Sequence, residues 1–331
     1  MATEPFLLTI AIPTYNRSLY LARLLESLVP QLNGESRVEL IISDNASPDE
    51  TPATMEEFRL RGLVFRGIRN HENIGAEANF VQCFTQASGR YVWIVGDDDV
   101  ILPRGVEVVL GLLASSEFDL VHLRAAPIVA GAEPRAPTRQ PRIEIVHDPV
   151  TFALRTHVFL TFITSNIIDK RRVSELPHLP FTDIIGTGLV QLSWTYTVLR
   201  HFRKGAVVHD CLVAGGGDEN RGGYALVTIF GTNLKRITEA WLVDAPLVRI
   251  ILNGAQQVFF PTYLSLARSK ASGFTDEDPD QVLRPLFFDN WRYHLFIYPV
   301  LTLPLGLARL WVLLCRVANR LDKILGNPML R

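Results

Sequence analysis

At 331 residues, 48% hydrophobic and 20% charged, the chain has enough apolar mass for a large buried core, which excludes an intrinsically disordered protein. Its 33 basic residues against 34 acidic ones leave no global field to gather a polyanion, so nucleic acid is excluded as a partner. Cys83, Cys211 and Cys315 lie far apart with no CxxC spacing, which argues against a zinc site or a disulfide framework and fits a reducing cytosol.

The opening residues, MATEPFLLTIAIPTYNR, lack the basic flank and long apolar stretch of an export signal, and their short apolar run is expected to be a strand. Further strands are expected at 38–44 (VELIISD), 63–70 (LVFRGIRN) and 91–97 (YVWIVGD). Between them SLYLARLLESLVPQL, SPDETPATMEEFRLRG and NIGAEANFVQCFTQASG carry helical spacing or capping signals. Strand and helix in alternation predict an α/β fold with a mostly parallel sheet, in which ligands bind beyond the carboxyl ends of the strands. Three polar groups fall at those ends and should meet in one crevice: PTYNR after the first strand, SDNASPDE after the second and GDDD after the fourth.

Beyond the aspartates the pattern predicts a helix over 103–115, a strand at FDLVHLRAA and an irregular segment over 127–142. Residues 151–200 read as mostly helical with a turn around LPHLPFTDIIGTG, and KGAVVHDCLVAGGGDENRGGY reads as a strand entering a glycine-rich loop. From 224 to 272 the pattern is helical. The run over 295–315 has the length of a membrane span, but Pro299, Pro304 and Arg309 argue against simple crossing. Arg309, Arg316, Arg320 and Lys323 share one helical face opposite Trp311, Leu314 and Leu325, which predicts a helix lying in a membrane interface. The bland alternative is a docking helix with a solvated basic face.

Three adjacent carboxylates after an apolar strand repel one another and need compensation. A divalent metal is the first suspect: magnesium or manganese takes carboxylate oxygen and shares its shell with substrate phosphates, which points to a diphosphate. The spacing excludes an EF-hand. Asp44 and Asn45 can hydrogen-bond a base edge. Asn73, read as an N-cap, and Gly75, read as first-turn, offer an anion the start of a helix.

Taken together, TIAIPTYNR, IISDNASPDET, NIGAEANF and GRYVWIVGDDDVILP resemble the nucleotide-binding half of family 2 inverting glycosyltransferases of the GT-A fold, over about the first 125 residues. The resemblance implies a GT-A domain, with a donor half at 1–125 and an acceptor half at 126–222; the helical region at 223–331 is expected to be membrane-associated from the pattern of its last helix. It implies a nucleoside-diphosphate sugar donor and a glycan or lipid-linked oligosaccharide acceptor, as in surface-polysaccharide or O-antigen assembly, at the inner face of the cytoplasmic membrane. Pro13, Thr14, Tyr15 and Arg17 would line the nucleotide, with Asp44 on the base, Asp97 on the ribose, Asp98 in the donor site and Asp99 on a magnesium or manganese ion. The Glu-Asp pair that usually supplies the family's base is missing from its expected place. Asp183 is the candidate base; Gln191 could not serve, Glu277 and Asp278 read as a helix start, and His178 and His209 are outside candidates. Arg221, in the glycine-rich loop, would neutralise the departing diphosphate if that loop is a lid. The competing functions are a non-catalytic nucleotide-sugar binder and a sugar nucleotidyltransferase, although IPTYNR lacks the glycine and lysine that the second would need.

Overall fold

A computed structural model describes residues 6–127, 140–215, 225–269 and 274–331, and the chain divides into two compact units. The first comprises Met1–Asp148, Leu160–Gly186 and Val190–Asp218; the second comprises Pro149–Phe159, Thr187–Leu189 and Glu219–Arg331.

Among the described residues the first unit is built on a nine-stranded sheet. Its strands are β1 (Phe6–Thr14), β2 (Val38–Asp44), β3 (Arg66–Arg69), β4 (Gly89–Ile94), β5 (Val100–Ile101), β6 (Leu120–Pro127), β7 (Ile143–Val146), β8 (Asn166–Asp169) and β9 (Gly205–Gly215). The order is β3-β2-β1-β4-β8-β6-β9-β5, with β7 also paired to β9. β1 runs parallel to β2 and β4, and β2 parallel to β3, so the carboxyl ends of all four point the same way. Strands covered on both faces need continuous apolar sequence, which FLLTIAI and YVWI supply. Leu8, Ile10, Ile12, Tyr91 and Trp93 are fully buried there.

Helices α1 (Ser18–Leu32), α2 (Thr51–Leu60), α3 (Ala76–Gln86) and α4 (Gly105–Ser115) follow β1, β2, β3 and β5. In α1 the buried residues Leu21, Leu24, Leu25 and Leu28 recur at the three- and four-residue spacing that sets one stripe against the sheet. α6 (Lys170–Glu175) and α7 (Leu192–Arg200) complete this unit, and the ring of Trp194 on α7 stacks on Phe84 of α3 with centroids 4.6 Å apart.

Residues 151–200 are less helical than their composition predicts. β8 lies inside them and sits antiparallel between β4 and β6. Its four residues, NIID, are too short to display a period of two, and no glycine or proline brackets them.

The second unit is helical, with α5 (Pro149–Thr156), α8 (Leu234–Trp241), α9 (Ala245–Gly254), α10 (Phe260–Ala267), α11 (Pro279–Phe287), α12 (Tyr298–Thr302) and α13 (Leu305–Ile324). Single π-helical turns at Thr228–Asn233, Ala255–Phe259 and Tyr293–Ile297 lead into α8, α10 and α12. Among the described residues no helix is long and apolar enough to cross a membrane. The chain breaks at Leu303 and Pro304, which have extended backbone, as the proline there requires.

An ion cluster around the buried Asp119 carboxylate fastens the start of β6. Asp119 accepts from the backbone N–H of Arg203 at 2.6 Å, from Arg203 Nη2 at 2.7 Å and from Arg172 Nε at 3.1 Å. Burial works to raise the pKa of Asp119, but the hydrogen bonds and charge of Arg203 outweigh it and hold the carboxyl below its ordinary value. Removing the carboxylate leaves the backbone N–H groups of Arg203 and Lys204 without their acceptor, while the exposed Arg203 side chain turns to water. Asp119→Ala should therefore destabilise the protein by about 1–3 kcal/mol, measured by chemical denaturation, whereas a loss under about 0.5 kcal/mol would mean that water replaces the carboxylate.

Candidate functional site

β1 ends on Pro13 and Thr14, which stand in register with Ser43 and Asp44 at the end of β2. β4 stops at Ile94, and Asp99 N donates to Gly96 O at 3.1 Å, so the three aspartates occupy a tight turn just beyond the same edge. The PTYNR, SDNASPDE and GDDD segments thereby meet. Thr14 Oγ1 donates to Asp97 Oδ2 at 2.7 Å, Asn45 N donates to Thr14 O at 2.9 Å, and Asn16 N donates to Ser47 Oγ at 2.8 Å.

The first compensation for the clustered negative charge is an arginine. Arg17, at the start of α1, places Nη1 3.1 Å from Asp97 Oδ1 and 3.2 Å from Asp98 Oδ2. Arg23, one and a half turns along α1, donates from Nη2 to the Asp98 carbonyl at 2.5 Å. Burial opposes the charge on Arg17, but Asp97 and Asp98 outweigh it and raise its pKa. Burial pushes the Asp97 carboxyl up to about 6 against the pull of Arg17, and Asp98 adds to the rise.

Asp99 is held differently. Thr164 Oγ1 donates to Asp99 Oδ2 and accepts from Gly96 N at 2.9 Å. The antiparallel register explains this: Tyr91 pairs with Asp169 and Trp93 with Ile167, so one continuation of the ladder sets Gly96 opposite Thr164. A side chain at Gly215 would collide with the Asp99 carboxylate, and one at Gly96 would crowd it. A Cβ on Gly96 would lie 3.0 Å from Asp99 Oδ2 and 3.1 Å from Asp98 Oδ1, and one on Gly215 would lie 2.7 Å from Asp99 Oδ1. Gly215 opens the glycine-rich run GGGDENRGGY; Arg221 in that run lies outside the described residues.

No cluster of three or more His, Cys, Asp or Glu able to hold a metal ion occurs among the described residues. The donor set fits a different arrangement. The Asp98 and Asp99 carboxylates both face the space above Gly96, and hard cations such as magnesium or manganese accept one or two carboxylates when substrate phosphates complete the shell.

At the other end of the crevice Asp44 is buried and ties down its own turn. Its Oδ1 accepts from Ser47 N at 2.9 Å and its Oδ2 from Arg69 Nη1 at 2.8 Å. Asn45, also buried, donates to Asn73 Oδ1 at 2.8 Å and accepts from Ile74 N at 3.0 Å. Tyr15 between these groups is 41% exposed.

The start of α3 departs from its sequence reading. Gly75, not Asn73, precedes the helix, and it lies outside the first turn with φ of +86°. A left-handed φ favours glycine and cannot continue a right-handed helix. Asn73 instead accepts Gly75 N on its side chain at 2.9 Å.

Asp183 sits exposed in a single 3₁₀ turn, Phe181–Asp183, where Thr182 Oγ1 donates to it at 3.1 Å. Its side chain does not cap α7; that helix starts after Gln191, whose amide donates to Thr161 O at 2.5 Å. Glu277 accepts from Val227 N and Thr228 N, Asp278 caps α11, His178 is exposed, and His209 Nε2 contacts Glu144 at 2.9 Å.

Three residues here escape sequence reasoning. Arg23 looks like an ordinary solvated helix residue, and Thr164 acquires meaning only once β8 is recognised. Glu77, in the first turn of α3, accepts from Gly186 N at 2.5 Å and Val190 N at 3.0 Å, so it clamps both ends of the segment that follows Asp183. An acid at that position is already accounted for by the helix dipole.

Comparison with known proteins accords with this geometry. RfbV, an abequosyltransferase of Salmonella typhimurium, is 36% identical over 112 residues, which is 33% of this chain and 33% of that protein. The chain thus spans about a third or less of the length of the first curated relatives that it matches. Staphylococcus aureus TarS residues 1–349 in complex with UDP-GlcNAc superposes with a TM-score of 0.56 at 16% identity, covering 96% of this chain and 92% of that one. The mannosyltransferase PcManGT of Pyrobaculum calidifontis, in complex with GDP-Man and Mn2+, superposes with a TM-score of 0.52 at 16% identity over 96% of this chain and 88% of that one. These likenesses identify the fold as GT-A. The Glycosyl transferase family 2 model matches residues 9–175. That match takes in half the chain and every strand end on which the aspartate crevice is built, so this chain belongs to glycosyl transferase family 2.

Proposed function

We propose that this protein transfers a sugar from a nucleoside-diphosphate donor to a glycan or lipid-linked glycan, with inversion and metal assistance, at the inner face of the cytoplasmic membrane. The observation that carries the reading is the buried aspartate turn beyond β4, bridged by Arg17 and anchored by Thr164. In this reading residues 1–125 bind the donor and 126–222 face the acceptor.

Each residue then has a chemical task. The exposed ring of Tyr15 offers a stacking face to the base, and the remaining lone pairs of Asp44 accept from the base edge. Asp97, ionised, accepts from ribose hydroxyls while Thr14 and Arg17 fix its orientation. Asp99, with Asp98 beside it, would hold a magnesium or manganese ion, which when bound stabilises the charge on the departing diphosphate as a Lewis acid. Asp183 takes the proton of the acceptor hydroxyl as its oxygen bonds to the anomeric carbon and the bond to the diphosphate oxygen breaks. A single displacement inverts the centre without a glycosyl-enzyme intermediate. Arg221 would meet the leaving diphosphate.

The raised pKa of Asp97 has a direct energetic consequence. Its folded value, about 6, exceeds its ordinary 3.8, so the fold favours the protonated form. That contribution to stability is complete below about pH 3.8 and is lost as pH rises through about 6. Above pH 7 the buried charge costs about 1–3 kcal/mol, a cost that binding needs and folding does not. Asp97→Asn should accordingly stabilise the nucleotide-free protein at pH 8, relative to its effect at pH 5, by about that amount, and should lose nucleotide binding. Denaturation at the two pH values with parallel nucleotide titrations checks this. Equal destabilisation at both would make the carboxylate a structural one.

Asp183→Asn separates binding from chemistry. Donor affinity should hold while the transfer rate falls by about 10²–10⁴-fold, measured as release of nucleoside diphosphate in the presence of acceptor. Undiminished turnover would assign the base to another residue.

A further inference from the structure

Helix α13 presents three sectors. At about 100° per residue, Ala308, Val312, Cys315 and Asp322 fall on one face, and all four are buried. Arg309, Arg316, Arg320 and Lys323 form an adjoining strip, all exposed. The third sector is apolar and open: Leu307, Leu310, Leu313, Leu314, Val317, Leu321, Ile324 and the following Leu325 are each 53% or more exposed. Isolated exposed leucines are ordinary, but a contiguous arc of about 120° along a helix roughly 30 Å long is not. The far edge of that arc is continued by Trp311, whose indole N–H donates to Leu295 O at 2.9 Å, and Leu295 and Tyr298 are themselves exposed.

Charge decides what covers this face. The only acid on α13, Asp322, is buried, where it accepts from Met329 N at 2.7 Å and Gln257 Nε2 at 3.2 Å. The exposed surface of the helix therefore carries four cations and no anion. A second copy of the same face would bring cations and leucines but no acid to pair with them. An anionic lipid surface supplies both acyl chains for the arc and phosphates for the strip. α13 itself is not apolar enough to span a bilayer.

We propose that α13 lies flat in the interface of an anionic bilayer, its open leucine arc immersed and its four-cation strip on the head groups. The inference rests on the membrane-surface part of the proposed function and on none of its chemistry, so a failed lipid assay leaves glycosyl transfer standing, and an inactive enzyme leaves α13 standing.

Flotation of the full chain with phosphatidylcholine vesicles, with and without phosphatidylglycerol, tests it. The protein should float with the anionic vesicles and weakly or not at all with the neutral ones. Arg316→Gln with Arg320→Gln should weaken binding about 30-fold, from about 1 kcal/mol per cation near the surface. Leu310→Asp with Leu314→Asp should abolish flotation although all four cations remain. These positions are exposed, so each variant should keep the thermal midpoint of the parent, which is measured alongside. Absence of flotation with anionic vesicles, or flotation undiminished in the leucine variant, would overturn the proposal. So would a wild-type dimer in sedimentation equilibrium that the leucine variant splits, which would make the face a self-association surface.

Discussion

The guanidinium of Arg17 is what allows three consecutive aspartates to stand at the end of a buried strand. One nitrogen reaches Asp97 and Asp98 at once, and the residue sits where α1 begins, so the same short connection ends β1, starts the helix and neutralises the turn beyond β4. Without it, two carboxylates would face each other in a poorly solvated crevice. The arrangement has a residual cost, visible in the raised pKa of Asp97. Under the proposed function that cost is offset when donor hydroxyls bind the carboxylate.

Asp99 shows the other half of that design. Thr164 Oγ1 donates to its carboxylate, and Gly96 and Gly215 leave room beside it. The contrast between Asp97 and Asp99, two residues apart, arises from what each one meets: Thr14 at the end of β1 and Arg17 at the start of α1 on one side, Thr164 just before β8 on the other.

Much of the fold could be read from sequence because local patterns sufficed. FLLTIAI and YVWIV are strands from their apolar runs, and the polar groups that follow them mark the crevice through the chemistry of parallel sheets alone. β8 was hidden, being four residues long and flanked by polar residues common to many turns. With it went Thr164, whose role exists only through an antiparallel register that no local window contains. The start of α3 is misplaced by its capping pattern: Gly75 takes the cap position expected of Asn73, and Asn73 lies two residues upstream, because the positive φ of Gly75 is a backbone property that such a pattern does not reveal. Glu77 was invisible for a third reason: its partners at Gly186 and Val190 are over a hundred residues away. Local chemistry was legible; chemistry that depends on who becomes a neighbour was not.

The central claim is that the aspartate turn receives a nucleoside diphosphate together with a metal ion. Calorimetric titration of the whole chain with UDP, GDP, CDP and dTDP, each with and without manganese, addresses it most directly, with Asp99→Ala as the control. The account predicts saturable binding of one nucleotide that manganese strengthens in the parent and not in the variant. Absence of binding by all four to folded protein, or manganese enhancement that survives in Asp99→Ala, would contradict it.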